Sequence, residues 1–176
     1  MKAESKSVTW ADDIYRALLQ VGIRQVAYVP DAGHTHLIQQ CHANNQMKTV
    51  SLTTEEEGVA MLAGAWLGGD RGALLMQSSG AGNCINMLSV IQECRFPLLM
   101  LITMRGEWGE FNPWQLAMGQ STRRVLEDIG IVAQHVDDAT RVGENVFAAA
   151  QMAFSANRAV AVLIGQRVVG FKDWSK

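Results

Sequence analysis

Apolar positions along the chain come in two alternating textures. Six short runs, "QVAYV" (25–29), "KTVSL" (48–52), "ALLMQ" (73–77), "LLMLIT" (98–103), "IVAQHV" (131–136) and "AVAVLI" (159–164), are mostly continuous in apolar residues. Strands covered on both faces read this way, whereas a strand with one wet face alternates. Between these runs, over roughly 8–21, 34–45, 56–68, 82–94, 121–129 and 139–157, apolar positions recur at helical spacing. Strand and helix taking turns predict an α/β fold: a doubly wound, mostly parallel six-stranded sheet with helices on both faces. With 176 residues the chain suits one domain over 1–176 with a sizeable core, and two would be tight. No internal repeat or low-complexity segment interrupts the pattern. The stretch 104–120, "MRGEWGEFNPWQLAMGQ", has no clear period, and irregular segments of that length are more often functional than structural.

Composition narrows the setting. The chain is 48% hydrophobic and 18% charged, which suits a sheet buried on both faces or a surface covered by a partner. A net charge of −2 with scattered lysines and arginines offers no electrostatic basis for binding nucleic acid or an anionic membrane. Cys41, Cys84 and Cys94 are odd in number and form no close metal-like pair, as expected of reduced thiols in a cytosol. The opening "MKAESKSVTW" lacks the apolar core of a signal peptide, and "FPLLMLITM" is too short to cross a bilayer. A soluble, cytoplasmic protein is expected.

In open α/β sheets ligands bind outside the carboxyl ends of the strands. That rule selects four loops: "VPDAGHTH", "TTEEEG", "QSSGAGN" and "TMRGEWGE". In "QSSGAGN", Gly80 and Gly82 let backbone N–H groups approach an anion at a helix start, or serve a tight turn; Asn83 is polar in the first turn. The spacing is half a dinucleotide fingerprint and keeps a nucleotide-binding module open. His34 and His36 stand two apart, do not share a helix face and lack a third ligand, so no metal site is expected. Asp31 reads as a helix N-cap, and Arg105 with Glu107 and Glu110 as a solvated ion cluster. Most informative is "TTEEEGVAMLAGAWLGG" (53–69), where three glutamates precede a small, apolar run. One or two carboxylates satisfy the helix dipole, and the third is surplus. A carboxyl group turned inward beneath apolar neighbours favours its neutral form and becomes a proton carrier.

In this order, "GIRQVAYVPDAGHTHLI", "EEEGVAMLAGAWLGG", "ALLMQSSGAGNCINMLSVI" and "MRGEWGE…MGQSTRRVLEDIGI" resemble the pyrimidine-binding domain of thiamine diphosphate enzymes. The resemblance covers nearly the whole chain and falls within the sulfopyruvate and phosphonopyruvate decarboxylases. "EEEGV" with "QSSGAGN" leans towards the alpha-type subunits of the sulfopyruvate enzymes. It implies a glutamate that hydrogen-bonds N1′ of the cofactor's aminopyrimidine and relays a proton. Counting back nine positions from Gly64 assigns this role to Glu55, with Glu56 the runner-up. Pro30, Gly80, Gly82 and Asn83 fall on the family's cofactor-side turns.

What the family's pattern has and this sequence lacks is also informative. The resemblance implies that diphosphate and Mg²⁺ are held through a Gly-Asp-Gly motif, and no "GDG" occurs here. A beta-type partner subunit carrying the diphosphate-binding domain is therefore expected, in a hetero-oligomer. Many relatives carry a histidine ahead of the glycine in the substrate loop, where Gln115 stands in "PWQLAMG", so no histidine delivers a proton there. A sulfonate or phosphonate is a permanent anion that needs a guanidinium or converging N–H donors. Arg105 is the best-placed arginine, with Asp31, His34, Gln77, Ser78 and Gln115 as further substrate-side candidates. The resemblance thus implies a decarboxylase subunit acting on 3-sulfopyruvate, or alternatively on phosphonopyruvate or another 2-oxo acid. A non-catalytic domain of the same fold is a third class.

Overall fold

The computed structural model of the protein describes residues 9–171. Six parallel strands lie in the order β2-β1-β3-β4-β6-β5. They are β1 (Ile23–Tyr28), β2 (Lys48–Ser51), β3 (Arg71–Gln77), β4 (Leu98–Thr103), β5 (Val132–Val136) and β6 (Ala159–Ile164). The helices are α1 (Trp10–Gln20), α2 (Thr35–Ala43), α3 (Glu55–Leu67), α4 (Ser78–Cys84), α5 (Leu88–Cys94), α6 (Leu116–Asp128), α7 (Val142–Ala156) and α8 (Gln166–Val169). The sheet is thus wholly parallel, as the apolar runs predict.

Each central strand serves two cores by simple alternation. Leu99 and Leu101 of β4, with Val160 and Val162 of β6, face the layer of α1, α2 and α7. Met100 and Ile102, with Ala161 and Leu163, face the layer of α3 to α6. The edge strands β2 and β5 are only partly covered, in keeping with their more polar "KTVS" and "VAQHV".

Two helices differ from the expected spans. The pattern over 82–94 is two helices separated by turn residues 85–87, where the Ser89 hydroxyl bonds the Asn86 carbonyl at 2.7 Å and competes with the helical ladder. Helix α6 starts at Leu116, five residues before the expected start, so the irregular segment ends in a 3-10 turn (Pro113–Gln115) running into a helix. Residue 8, the first of the expected pattern over 8–21, lies outside the described residues.

Strand order and register decide which loops meet. Because β2 and β3 lie on opposite sides of β1, the order reverses there and opens a crevice at the carboxyl ends. Gln77 and Thr103 are register partners at the ends of β3 and β4. Thr103 in turn faces Ile164 of β6, so the segments after β4 and β6 leave the sheet side by side.

Candidate active site

Helix α3 buries Glu55, Gly58, Val59 and Leu62, a stripe at helical spacing, and the first glutamate is the stripe's polar end. Glu55 is 8% exposed. Its Oε2 accepts a hydrogen bond from Asn83 Nδ2 of α4 at 2.9 Å. Its Oε1 has no hydrogen-bond partner among the described residues and lies against Gly80. A Cβ at Gly80 would stand 2.3 Å from Oε1, so only glycine leaves room for this carboxyl group. The neighbouring glutamates do other work. Glu57 Oε2 turns back to the N–H groups of Thr53 (2.9 Å) and Thr54 (3.4 Å), one arm of a capping box. Glu56 accepts the Thr54 hydroxyl, which lowers its pKa.

Around the crevice a second set of side chains forms a chain of hydrogen bonds. Gln115 Nε2 donates to Gln77 Oε1 at 3.3 Å, and Gln77 Nε2 donates to Asp31 Oδ1 at 2.6 Å. Thr103 Oγ1 donates to Asp31 Oδ2 at 2.5 Å, and the Gly33 N–H completes the set at 3.1 Å. Asp31 therefore ties the ends of β3 and β4 to the loop after β1. It does not cap α2, whose N-cap is His34 without a side-chain bond. Gln115 Oε1 is buried without a partner among the described residues, so one acceptor points out of this network unmet.

Arg105 and Glu110 are not a solvated cluster. They form a bidentate pair, Nε to Oε2 at 2.6 Å and Nη2 to Oε1 at 2.7 Å, and the Glu110 side chain is 2% exposed. The guanidinium, with the Asn112 N–H and Gln166 amide, holds the Glu110 carboxyl down to about 2. The same contact raises the Arg105 pKa. Arg105 lines a cavity of about 140 Å³ with Asp31, Gly33, Thr103, Val169 and Phe171. Glu107 parts from this pair and meets His135 of β5 at 3.0 Å.

Several other expected site residues are taken up by contacts within the fold. His34 is fully buried, and its Nε2 faces the Leu101 carbonyl at 3.1 Å; a carbonyl only accepts, so Nε2 carries the proton. Burial lowers the ring's pKa, which leaves it neutral and unsuited to pair an anion. His36 turns away to Asp12 at 2.9 Å. The Ser78 side chain is buried and accepts the Arg105 N–H at 3.2 Å, stapling β3's end to the loop after β4. Because α4 begins at Ser78, Gly80 and Gly82 lie inside the helix and do not form a phosphate-cradling turn before it. Gly82 faces Met118 of α6 instead, which also weakens the nucleotide-module reading. Pro30 is exposed just beyond β1. The residue that sequence reasoning missed is Gln166, buried at the start of α8, which binds the loop after β4. Its one signal was its place two residues past the sixth strand, at a carboxyl end; the contact itself depends on strand order.

An inward carboxyl group at the amino end of a helix, beside a crevice at the switch point of a doubly wound sheet, defines a cofactor-binding α/β domain. The chain belongs to the thiamine pyrophosphate enzymes: the family's N-terminal TPP-binding domain matches residues 8–112. It is 36% identical over 122 residues to the sulfopyruvate decarboxylase subunit alpha of Methanococcus maripaludis, covering 69% of this chain and 73% of that one. The corresponding subunit of Methanothermobacter thermautotrophicus is 29% identical over 155 residues, covering 88% and 94%. A phosphonopyruvate decarboxylase of Streptomyces viridochromogenes is 34% identical over 141 residues, 79% of this chain and 36% of that longer one. In fold, the chain is similar to a 2-oxoglutarate:ferredoxin oxidoreductase from Magnetococcus marinus, with TM-score 0.75 at 16% identity over 92% of this chain and 29% of that one.

The residues present fit an aminopyrimidine. Glu55 Oε1 is available to a ring nitrogen, while Asn83 holds the other oxygen and Gly80 keeps the space clear.

Proposed function

We propose that the chain, residues 1–176 taken as one domain, is the pyrimidine-side subunit of a thiamine diphosphate-dependent 2-oxo acid decarboxylase. Its proposed substrate is 3-sulfopyruvate, converted to sulfoacetaldehyde and CO2 with uptake of one proton. The observation that carries this reading is the buried Glu55 carboxyl group, one oxygen fixed by Asn83 and the other unpartnered over Gly80. When bound, thiamine diphosphate supplies the carbanion chemistry that releases CO2. Glu55 holds a proton at Oε1 against the pyrimidine nitrogen, and Asn83 fixes the carboxyl orientation. Glu57 and Glu56 keep the helix start in place. Arg105 offers a guanidinium to the sulfonate from the wall of the cavity it shares with Asp31.

The diphosphate and its Mg²⁺ belong, in this reading, to a beta-type partner subunit in a cytoplasmic hetero-oligomer. The Methanococcus and Methanothermobacter relatives are themselves named alpha subunits, which supports a second chain. Phosphonopyruvate is the second reading, favoured by the Streptomyces relative. The test is an assay of the chain with and without a co-expressed partner, with thiamine diphosphate and Mg²⁺, on 3-sulfopyruvate, 3-phosphonopyruvate and pyruvate. We expect turnover of 3-sulfopyruvate by the assembled pair and none by the chain alone. Robust turnover by the chain alone would contradict the shared site, and preference for phosphonopyruvate would move the substrate.

A further inference from the structure

Gln166 is 1% exposed and makes four hydrogen bonds to the loop after β4. Its Oε1 accepts from the N–H groups of Glu107 and Trp108, both at 2.9 Å. Its own N–H donates to Glu107 Oε2 at 3.0 Å. Its Nε2 donates to Glu110 Oε2 at 2.9 Å, and that same oxygen holds Arg105 Nε. Only a primary amide serves both sides here, since the loop N–H groups need an acceptor and the carboxylate needs a donor. The short helix that Gln166 begins also walls the Arg105 cavity through Val169.

We propose that Gln166 is a positioning residue for substrate recognition: through Glu110 it sets the Arg105 guanidinium that receives the anionic end of the 2-oxo acid. The proposal rests on the decarboxylase reading for its substrate, and on this chain's contacts alone for its hold on Arg105. It assigns a specificity role to the segment after the sixth strand.

Two substitutions separate anchoring the loop from placing the arginine. Gln166→Leu removes both functions. Gln166→Glu keeps an acceptor for the Glu107 and Trp108 N–H groups but sets a second carboxylate against Glu110, a pair that needs a shared proton. In the complex of full chain and partner, both variants should raise KM for 3-sulfopyruvate by about 10- to 100-fold, the cost of a misplaced binding group, with kcat little changed. KM for pyruvate should move far less. As pH falls from about 8 to about 6, the Gln166→Glu defect should shrink as the carboxyl pair takes up its proton, and the Gln166→Leu defect should not. His135, which reaches Glu107, and Asp31, beside Arg105, are common to variant and wild type, so the readout is the KM ratio of variant to wild type.

A second measurement needs no substrate. In the ¹⁵N-labelled full chain, the Arg105 Nε–H signal, identified by its loss in Arg105→Lys, should exchange with water faster in Gln166→Leu. Unchanged exchange would overturn the hold of Gln166 on Arg105. Faster exchange with unchanged KM would overturn the role of Arg105 in substrate recognition while leaving the decarboxylase assignment standing. A wild-type KM in Gln166→Glu at every pH, beside a raised KM in Gln166→Leu, would reduce Gln166 to a loop anchor and overturn the proposal.

Discussion

At the scale of residues, three adjacent glutamates divide three tasks that a helix start normally gives to one. Glu57 satisfies backbone N–H groups, Glu56 meets the Thr54 hydroxyl, and Glu55 turns inward beneath α4. The family resemblance singled out Glu55 through its spacing to Gly64, and the buried stripe of positions 55, 58, 59 and 62 along α3 adds a physical reason. The role of Gly80 was not legible, since its spacing also suits a turn, and only the packing of α4 on α3 shows that a carboxyl group fills the missing Cβ position. This gives a sharp prediction. Alanine is favoured over glycine by about 1 kcal/mol within a helix, and the atoms it would strike belong to a side chain that can swing away. Gly80→Ala should therefore fold normally, with a Tm close to wild type, while activity in the assembled complex falls about 10²- to 10⁴-fold, the scale of a lost proton-transfer group. Thermal melts and steady-state rates on the same preparation check it, and a fully active Gly80→Ala protein would remove Glu55 from its proposed place.

At the scale of elements, the six strands were readable to within two residues because their apolar runs are bounded, and the central strands are buried on both faces. The loops after β4 and β6 were harder. Their meeting depends on β6 lying beside β4, and strand order is not written in periodicity. For that reason Gln166 and the burial of Glu110 went unforeseen, and Arg105 read as a solvated charge. The loop after β4 also has a pH-sensitive tie to β5. His135 pairs with Glu107 at 3.0 Å, and this contact raises the histidine's pKa above its ordinary 6.5. A raised value stabilises the fold fully below pH 6.5, and the contribution is lost as pH rises through the folded value. Both side chains are about a quarter exposed, so solvent limits the pair to about 0.2–1 kcal/mol. His135→Gln should lower Tm by roughly 1–3 °C at about pH 6 and by nothing measurable at about pH 9. A pH-independent difference would show that the ring contributes packing alone.

At the scale of the whole molecule, the described residues leave large apolar side chains uncovered near the site. Trp114 is 87% exposed, and Leu116 is exposed beside it where α6 begins. With a low charge content, such a surface supports the proposal that another subunit covers it and completes the site. In this reading one of three glutamates, buried beneath α4, performs the proton relay for a cofactor shared with that subunit. Exchange of the C2 proton of bound thiamine diphosphate, followed by NMR in the assembled complex, tests it most directly. Glu55→Gln keeps size and hydrogen-bonding capacity but cannot share a proton with the ring. It should slow exchange by about 10²- to 10⁴-fold without disturbing assembly. Glu56→Gln and Glu57→Gln should leave exchange at the wild-type rate. Wild-type exchange in Glu55→Gln, or its abolition in Glu56→Gln alone, would contradict the assignment of the relay to Glu55.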